Sequence, residues 1–207
     1  MIAVTSASID FLNAQSVAVQ ILIMQHGSSD TLNGFQIFLN NDKRKRQNAI
    51  MQNLKYVSYD IVFQEVPNET SLVFNISDCP HKCPDCHSKY LWDYTGNILK
   101  DDIESIIQRY CDYITCVCFM GGDQNINELK DLLNLCKQYK LKTCVYSGND
   151  SVQTFATCLD VLDYLKIGAY NKFFGGLDCK HTNQKFFKVN ADKSLTELTY
   201  LFQKDKK

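Results

Sequence analysis

The sequence lacks the features that mark several common protein classes. Its net charge is only −1, from 22 lysines and arginines against 23 aspartates and glutamates, so it has no basic excess of the kind that nucleic-acid binders usually carry. No apolar run approaches the length that spans a bilayer. The N-terminus shows no charged segment followed by the long apolar stretch of a secretory signal. We therefore expect a cytoplasmic protein with neither nucleic acid nor membrane as its main partner.

The length of 207 residues and a hydrophobic share of 45% fit one globular domain with a real core. Residues 1–50 differ from the rest, with no clean apolar period and a basic run over residues 43–46, which we interpret as a solvated linker rather than a nucleic-acid patch. We expect residues 1–50 to be an N-terminal appendage, or an over-extended gene start with Met51 as the true initiator. The functional domain is then residues 51–207.

Within that domain the apolar pattern alternates between strands and helices. Strands are predicted over residues 57–63, 72–76, 114–120, 143–146, 164–167 and 185–189. Helices are predicted over residues 99–110, 126–136, 152–159 and 195–202. This alternation indicates βαβ units with a parallel sheet. Four loops that follow strands should then meet at one sheet edge: the cysteine loop described below, and those beginning at Gly121, Ser147 and Gly168.

Three of the ten cysteines lie within residues 79–86 at C-x3-C-x2-C spacing. Thiolates select zinc or iron–sulfur clusters, and a structural zinc site needs four closed ligands, yet no second cysteine pair follows. Three cysteines can hold three corners of a four-iron cube, leaving the fourth iron open. Zinc with His81 or His87 as fourth ligand, and three unrelated core cysteines, remain alternatives. The seven other cysteines are expected to be mostly buried free thiols.

The run Cys-Pro-His-Lys-Cys-Pro-Asp-Cys-His-Ser at residues 79–88, followed by Leu-Trp-Asp at residues 91–93, resembles the signature of radical S-adenosylmethionine (radical SAM) enzymes. It is most similar to the activating enzymes of glycyl-radical proteins, in particular the subfamily that acts on anaerobic ribonucleoside-triphosphate reductase. The resemblance runs from about residue 54 to residue 189. It implies an α/β fold, an open partial (β/α) barrel of the radical SAM type with a mostly parallel sheet.

The same resemblance implies the site residues. Cys79, Cys83 and Cys86 would ligate a [4Fe-4S] cluster, and Asp85 and His87, on either side of Cys86, would lie against SAM. The segment Gly121, Gly122 and Asp123 resembles the family's Gly-Gly-Glu/Asp element, whose carbonyls and carboxylate accept from the ammonium of SAM. The sequence departs from the family in two places: Asp85 stands where many members carry an aromatic residue, and Gln124 where proline is frequent.

The resemblance further implies an oxidoreductase whose cofactors are the cluster and SAM. Reductive cleavage of SAM would give a 5′-deoxyadenosyl radical that abstracts a hydrogen atom from a glycine of the large reductase subunit. A flavodoxin-type protein would donate the electron, and no acid–base catalytic residue is needed. Two other functions remain open: a radical SAM enzyme for another glycyl-radical enzyme or a small molecule, and a zinc-binding interaction module.

Overall fold

The computed structural model describes residues 52–203. The expectations for residues 1–50, and the domain division that depends on them, fall outside the described residues and stay predictions. Within the described part, no helix is both long enough and apolar enough to pass through a bilayer.

The described strands form one eight-stranded sheet. In chain order they are β1 Lys55–Val62, β2 Ser71–Ile76, β3 Asn97–Ile98, β4 Cys116–Met120, β5 Lys142–Tyr146, β6 Tyr164–Ile167, β7 Lys185–Val189 and β8 Leu195–Glu197. The spatial order is β3-β1-β2-β4-β5-β6-β7-β8. Two α-helices serve as crossovers, α1 Leu99–Tyr110 before β4 and α2 Ile126–Gln138 before β5. The predicted α/β class is therefore confirmed.

The prediction of a mostly parallel sheet is wrong. The four central strands β2, β4, β5 and β6 run parallel, but four of the seven pairings among the described strands are antiparallel. The reason lies in the connections. Residues 63–70 between β1 and β2, and residues 190–194 between β7 and β8, are too few to hold a crossover helix, so each pair forms a hairpin. The longer segment 168–184 carries no helix and returns the chain to pair β7 antiparallel with β6. The partial-barrel form stays a prediction, since β3 and β8 remain unpaired edges of this sheet.

Two predicted helices are also wrong. The segment predicted as a helix over residues 152–159 holds only the short 3₁₀ turn Val152–Phe155, and residues 195–202 form β8 and the 3₁₀ turn Thr199–Phe202. Their apolar side chains are too few to distinguish one helical turn from a longer helix by period alone. The helices α1 and α2 do form where the period is long. Asp101 and Asp102 occupy the first turn of α1, where they favour the helix dipole.

Both faces of the central strands are buried. In β4, Val117 and Phe119 belong to the large cluster packed beneath the helices. Cys116 and Cys118 belong to a second cluster on the opposite face, as expected for a continuous apolar strand. Five free cysteines outside the predicted cluster loop are buried as expected, namely Cys116, Cys118, Cys136, Cys144 and Cys158. Burial raises the pKa of Cys136 to about 12, so this thiol is protonated and inert at neutral pH.

Candidate functional site

One pocket opens where the parallel strands end. The register aligns Asn75 of β2, Met120 of β4, Tyr146 of β5 and Lys166 of β6 in one row across the sheet, and all four side chains line the pocket. Its volume is about 360 Å³. Met120 and Tyr146 also pack on the cluster opposite the helices, so the pocket lies on that face at the carboxyl edge, where α/β sheets bind ligands.

The loop after β2 brings the three predicted metal ligands to this pocket. Cys79, Cys83 and Cys86 all line it, and all three are free thiols, Cys83 buried and the other two partly exposed. The backbone fixes the loop at both ends, because Cys79 N donates to Leu91 O at 3.0 Å and Cys86 N donates to Cys83 O at 3.0 Å. Three thiols that share one pocket provide the soft donor set that an iron–sulfur cluster needs.

His81, between the first two cysteines, joins this loop to two neighbouring loops. Its Nε2 lies 2.5 Å from Asp123 Oδ2 and 3.4 Å from Ser147 Oγ. The ring also lies so close to Gly148 that a Cβ on that residue would stand 2.8 Å from the imidazole Cγ. The glycine is therefore required by space, and the histidine holds the cysteine loop against the loops after β4 and β5.

These contacts weaken the zinc alternative. The Nε2 atom of His81 is already bound to a carboxylate, and the ring of His87 packs on Tyr170 with centroids 5.1 Å apart. No three His, Cys, Asp or Glu side chains between residues 52 and 203 are grouped to hold a single metal ion. In a four-iron cube each cysteine binds a different iron, so its ligands need not share one coordination sphere.

Asp123 is the buried acid of the site, with a side chain only 3% exposed. Its Oδ2 accepts hydrogen bonds from His81 Nε2 and, at 2.6 Å, from Ser147 Oγ. Its Oδ1 is buried and has no hydrogen-bond partner. An unpaired buried carboxylate oxygen is costly, and because the residue lines the pocket, a cationic or N–H donor of a ligand there would satisfy it.

The two glycines before Asp123 have different roles. Gly121 lines the pocket and has a φ of 108°. Its N–H donates to Tyr146 O at 2.8 Å, and this hydrogen bond holds the loop against the end of β5. Gly122 has a φ of 104° and lies outside the pocket lining, where a Cβ would approach Leu129 to 3.0 Å. Positive φ favours glycine at both positions.

Gln124 sets the path of this loop, at the position where the family often has proline. Its side-chain Nε2 donates to Ser77 O at 2.7 Å, and its Oε1 accepts from Gly122 N at 3.2 Å. The amide therefore connects the loop after β4 to the beginning of the cysteine loop.

The structure does not bring every predicted residue into the pocket. Asp85 and His87 do not line it. Asp85 faces Lys172, with 3.4 Å between Oδ1 and Nζ, and both side chains are about half exposed. His87 reaches the pocket only through its contact with Tyr170, which does line it. The predicted role of these two residues beside SAM stays a prediction.

The pocket also contains a lysine to which the sequence assigned no role. Lys166 is 8% exposed, and its Nζ donates to Gly168 O at 2.8 Å and to Ser147 O at 3.4 Å. Burial lowers its pKa to about 8, an effect that the neighbouring Cys83, Asp150 and Cys86 oppose. Lys166 is thus a buried basic residue that shares the pocket with the three cysteines.

Other pocket residues were missed by sequence reasoning. Register would have found some of them, because Asn75, Met120 and Tyr146 are the last or nearly last inward residues of their strands. Glu65 comes from the turn after β1 and could not be placed by pattern. Burial raises the pKa of its carboxyl group, and its backbone carbonyl accepts from the hydroxyl of Tyr146.

A domain in which three cysteines of one loop open on a pocket at a sheet edge has the donor set of an iron–sulfur protein. Residues 69–196 match the family described as the 4Fe-4S single cluster domain. The match covers more than half of the chain and includes all three cysteines, so the chain belongs to this family and is an iron–sulfur protein of the [4Fe-4S] type. No curated protein matched the chain.

Proposed function

We propose that the chain is a radical SAM activase that cleaves SAM reductively at a [4Fe-4S] cluster and generates the glycyl radical of an anaerobic ribonucleoside-triphosphate reductase. One observation carries the proposal: three cysteines and a buried carboxylate with an unpaired oxygen face the same pocket. Three cysteines leave one iron of a cube without a protein ligand. The unpaired oxygen of Asp123 would provide an acceptor for an ammonium group bound in this pocket.

The pocket suits SAM in size and polarity. About 360 Å³ lies within the range of roughly 300–1,000 Å³ that small-molecule sites occupy. Asp123 offers a negative charge to the amino group of a methionine moiety, and buried Lys166 offers a positive one to an anion. When bound, the cluster would supply the electron that splits the sulfonium bond, while these residues orient the ligand and exclude water.

The remaining parts of the proposal follow from the resemblance. The parallel strands β2, β4, β5 and β6 would form the parallel part of a partial barrel of the radical SAM type. The glycine segment of the large reductase subunit would enter the pocket mouth, and a flavodoxin-type protein would reduce the cluster in the cytoplasm. No side chain of the site is required to move a proton for this chemistry.

The test begins with protein purified without oxygen. Iron and sulfide are measured, then SAM and dithionite are added and methionine and 5′-deoxyadenosine are quantified. The large reductase subunit is added last, and the glycyl doublet is recorded by electron paramagnetic resonance. We expect about four irons per chain for a four-iron cluster, SAM cleavage and a doublet.

Matched variants make the result specific. Alanine at Cys79, Cys83 or Cys86 should remove iron and SAM cleavage, whereas Cys179→Ala, outside the pocket lining, should retain both. Zinc in place of iron in the wild-type protein would end the proposal. SAM cleavage without a doublet would point to another glycyl-radical enzyme or to a small-molecule substrate.

A further inference from the structure

Lys166 places a positive charge inside the site without a carboxylate in direct contact with it. The two hydrogen-bond acceptors of its Nζ in the described structure are backbone carbonyls, Gly168 O at 2.8 Å and Ser147 O at 3.4 Å. No acidic side chain between residues 52 and 203 lies within ion-pair distance of it. Burying an unpaired ammonium costs free energy, so the fold retains this charge against a penalty.

The predicted cluster ligands share the pocket with this charge. Cys83 and Cys86 line the same pocket as Lys166, and their thiolates would attract the ammonium, as would the exposed Asp150. A cluster held by three thiolates brings more negative charge into this space, and each added electron increases it. Charges interact more strongly in a buried site than in water, so the lysine and the cluster must affect each other.

We propose that Lys166 is the charge partner of the cluster, a positioning residue that makes the cluster easier to reduce by balancing the negative charge of its thiolates and of the added electron. Reduction potentials of iron–sulfur clusters depend on the net charge, hydrogen bonds and solvent exposure around them. A buried cation favours the reduced form. Removal of the charge lowers the potential, which makes reduction by a biological donor harder.

The inference rests only on the cluster part of the proposed function. The potential is measured without SAM and without the reductase, by redox titration of the reconstituted full chain with the electron paramagnetic resonance signal of the reduced cluster as readout. If wild-type protein holds a cluster but does not cleave SAM, the proposed function fails and this inference can still be tested.

Three variants separate charge from shape. Lys166→Met removes the charge at similar length and should lower the ratio of reduced to oxidised cluster at least tenfold at fixed potential, about 59 mV for a one-electron couple. Lys166→Arg keeps the charge and should stay near wild type. The matched control is Lys172→Met, because Lys172 is 56% exposed and already paired with Asp85 of the cluster loop. Solvent screens such an exposed charge, so its loss should change the ratio less than about twofold.

The other possible results for these variants also support or overturn the inference about Lys166. If Lys166→Met shifts the potential no more than Lys172→Met, the inference is overturned. It is also overturned if the potential is unchanged and only SAM affinity falls, because the lysine would then be a ligand contact. If Lys166→Met and a second neutral variant, Lys166→Gln, both lose iron while Lys166→Arg retains it, the charge is required to hold the thiolates together, which supports the inference. If Lys166→Met, Lys166→Gln and Lys166→Arg all lose iron, the shape of the side chain and not its charge retains the cluster, and the inference is overturned.

Discussion

Replacing Asp123 by asparagine should weaken SAM binding strongly while leaving the fold intact. The substitution keeps the size of a side chain that is 3% exposed and removes its charge. The atom at the position of Oδ1, which is buried and unpaired in the structure, would become an NH₂ donor. A ligand ammonium would then meet a donor instead of a carboxylate oxygen.

The size of the effect follows from the free energy of the one hydrogen bond that would be lost. A hydrogen bond to a charged group contributes about 1.5–3 kcal/mol, so its loss should raise the Kd for SAM roughly 10- to 150-fold. At a SAM concentration of 100 times the wild-type Kd, the ligand stabilises the native wild-type protein by about 2.7 kcal/mol. A 30-fold weaker variant should gain only about 0.9 kcal/mol at that concentration.

The unliganded protein should respond less, because two effects oppose each other. The bonds from His81 and Ser147 to Oδ2 would lose their charge assistance, which is about half of their strength. Removing an unpaired buried charge compensates for part of this loss. We expect the free energy of unfolding without ligand to change by less than about 2 kcal/mol.

The assay is thermal or urea unfolding of the cluster-loaded protein with and without SAM, together with calorimetric titration of SAM. The control is Asp192→Asn, which removes an exposed carboxylate outside the pocket lining. We expect the control to keep the wild-type Kd. An Asp123→Asn variant that binds SAM with wild-type affinity would refute the reasoning that the unpaired oxygen is a ligand contact.

Two further predictions concern the site loops and the opposite edge of the sheet. Gly148→Ala should displace His81, since the new Cβ would stand 2.8 Å from its ring. We expect cluster-loaded protein to lose iron to a chelator at least tenfold faster than wild type, and equal rates would contradict the predicted displacement. Glu69→Gln should lower the free energy of unfolding by about 2–3 kcal/mol, because this buried carboxylate accepts from Thr115, Tyr164 and Lys142. Urea denaturation would measure it against Glu197→Gln, whose exposed ion pair should contribute less than about 1 kcal/mol, and similar losses would refute the assignment.

Apolar periodicity was sufficient to predict the two helices of this fold but not the directions of its strands. The helices α1 and α2 were predictable because their apolar stripes extend over three turns or more. The direction of each strand was not, because the sequence of β1 or β7 is compatible with either orientation. Direction follows from the length of the connection and from the neighbour that each strand finds, which made the hairpins at both ends of the sheet antiparallel.

Part of the candidate site could also be predicted from local sequence, and part of it could not. The spacing of Cys79, Cys83 and Cys86 predicted a thiolate site, because thiolates that close in sequence can reach one object wherever the loop lies. It left zinc as an alternative, and the [4Fe-4S] prediction also depended on the family resemblance. The partner of His81 could not be predicted, since Asp123 is 42 residues away and the two meet only when the loops after β2 and β4 fold over one edge.

The three cysteines and their spacing therefore predicted a thiolate donor set without any knowledge of the fold, since ligand chemistry depends on residue types and their local spacing. The sequence also indicated an α/β domain, because burial periods are local properties of the chain. The folded structure was needed to show that the carboxylate of Asp123 keeps one oxygen unpaired and that Lys166 lines the same pocket as the cysteines. Both facts depend on desolvation and on contacts between distant segments, which exist only after the sheet has brought its strand ends together.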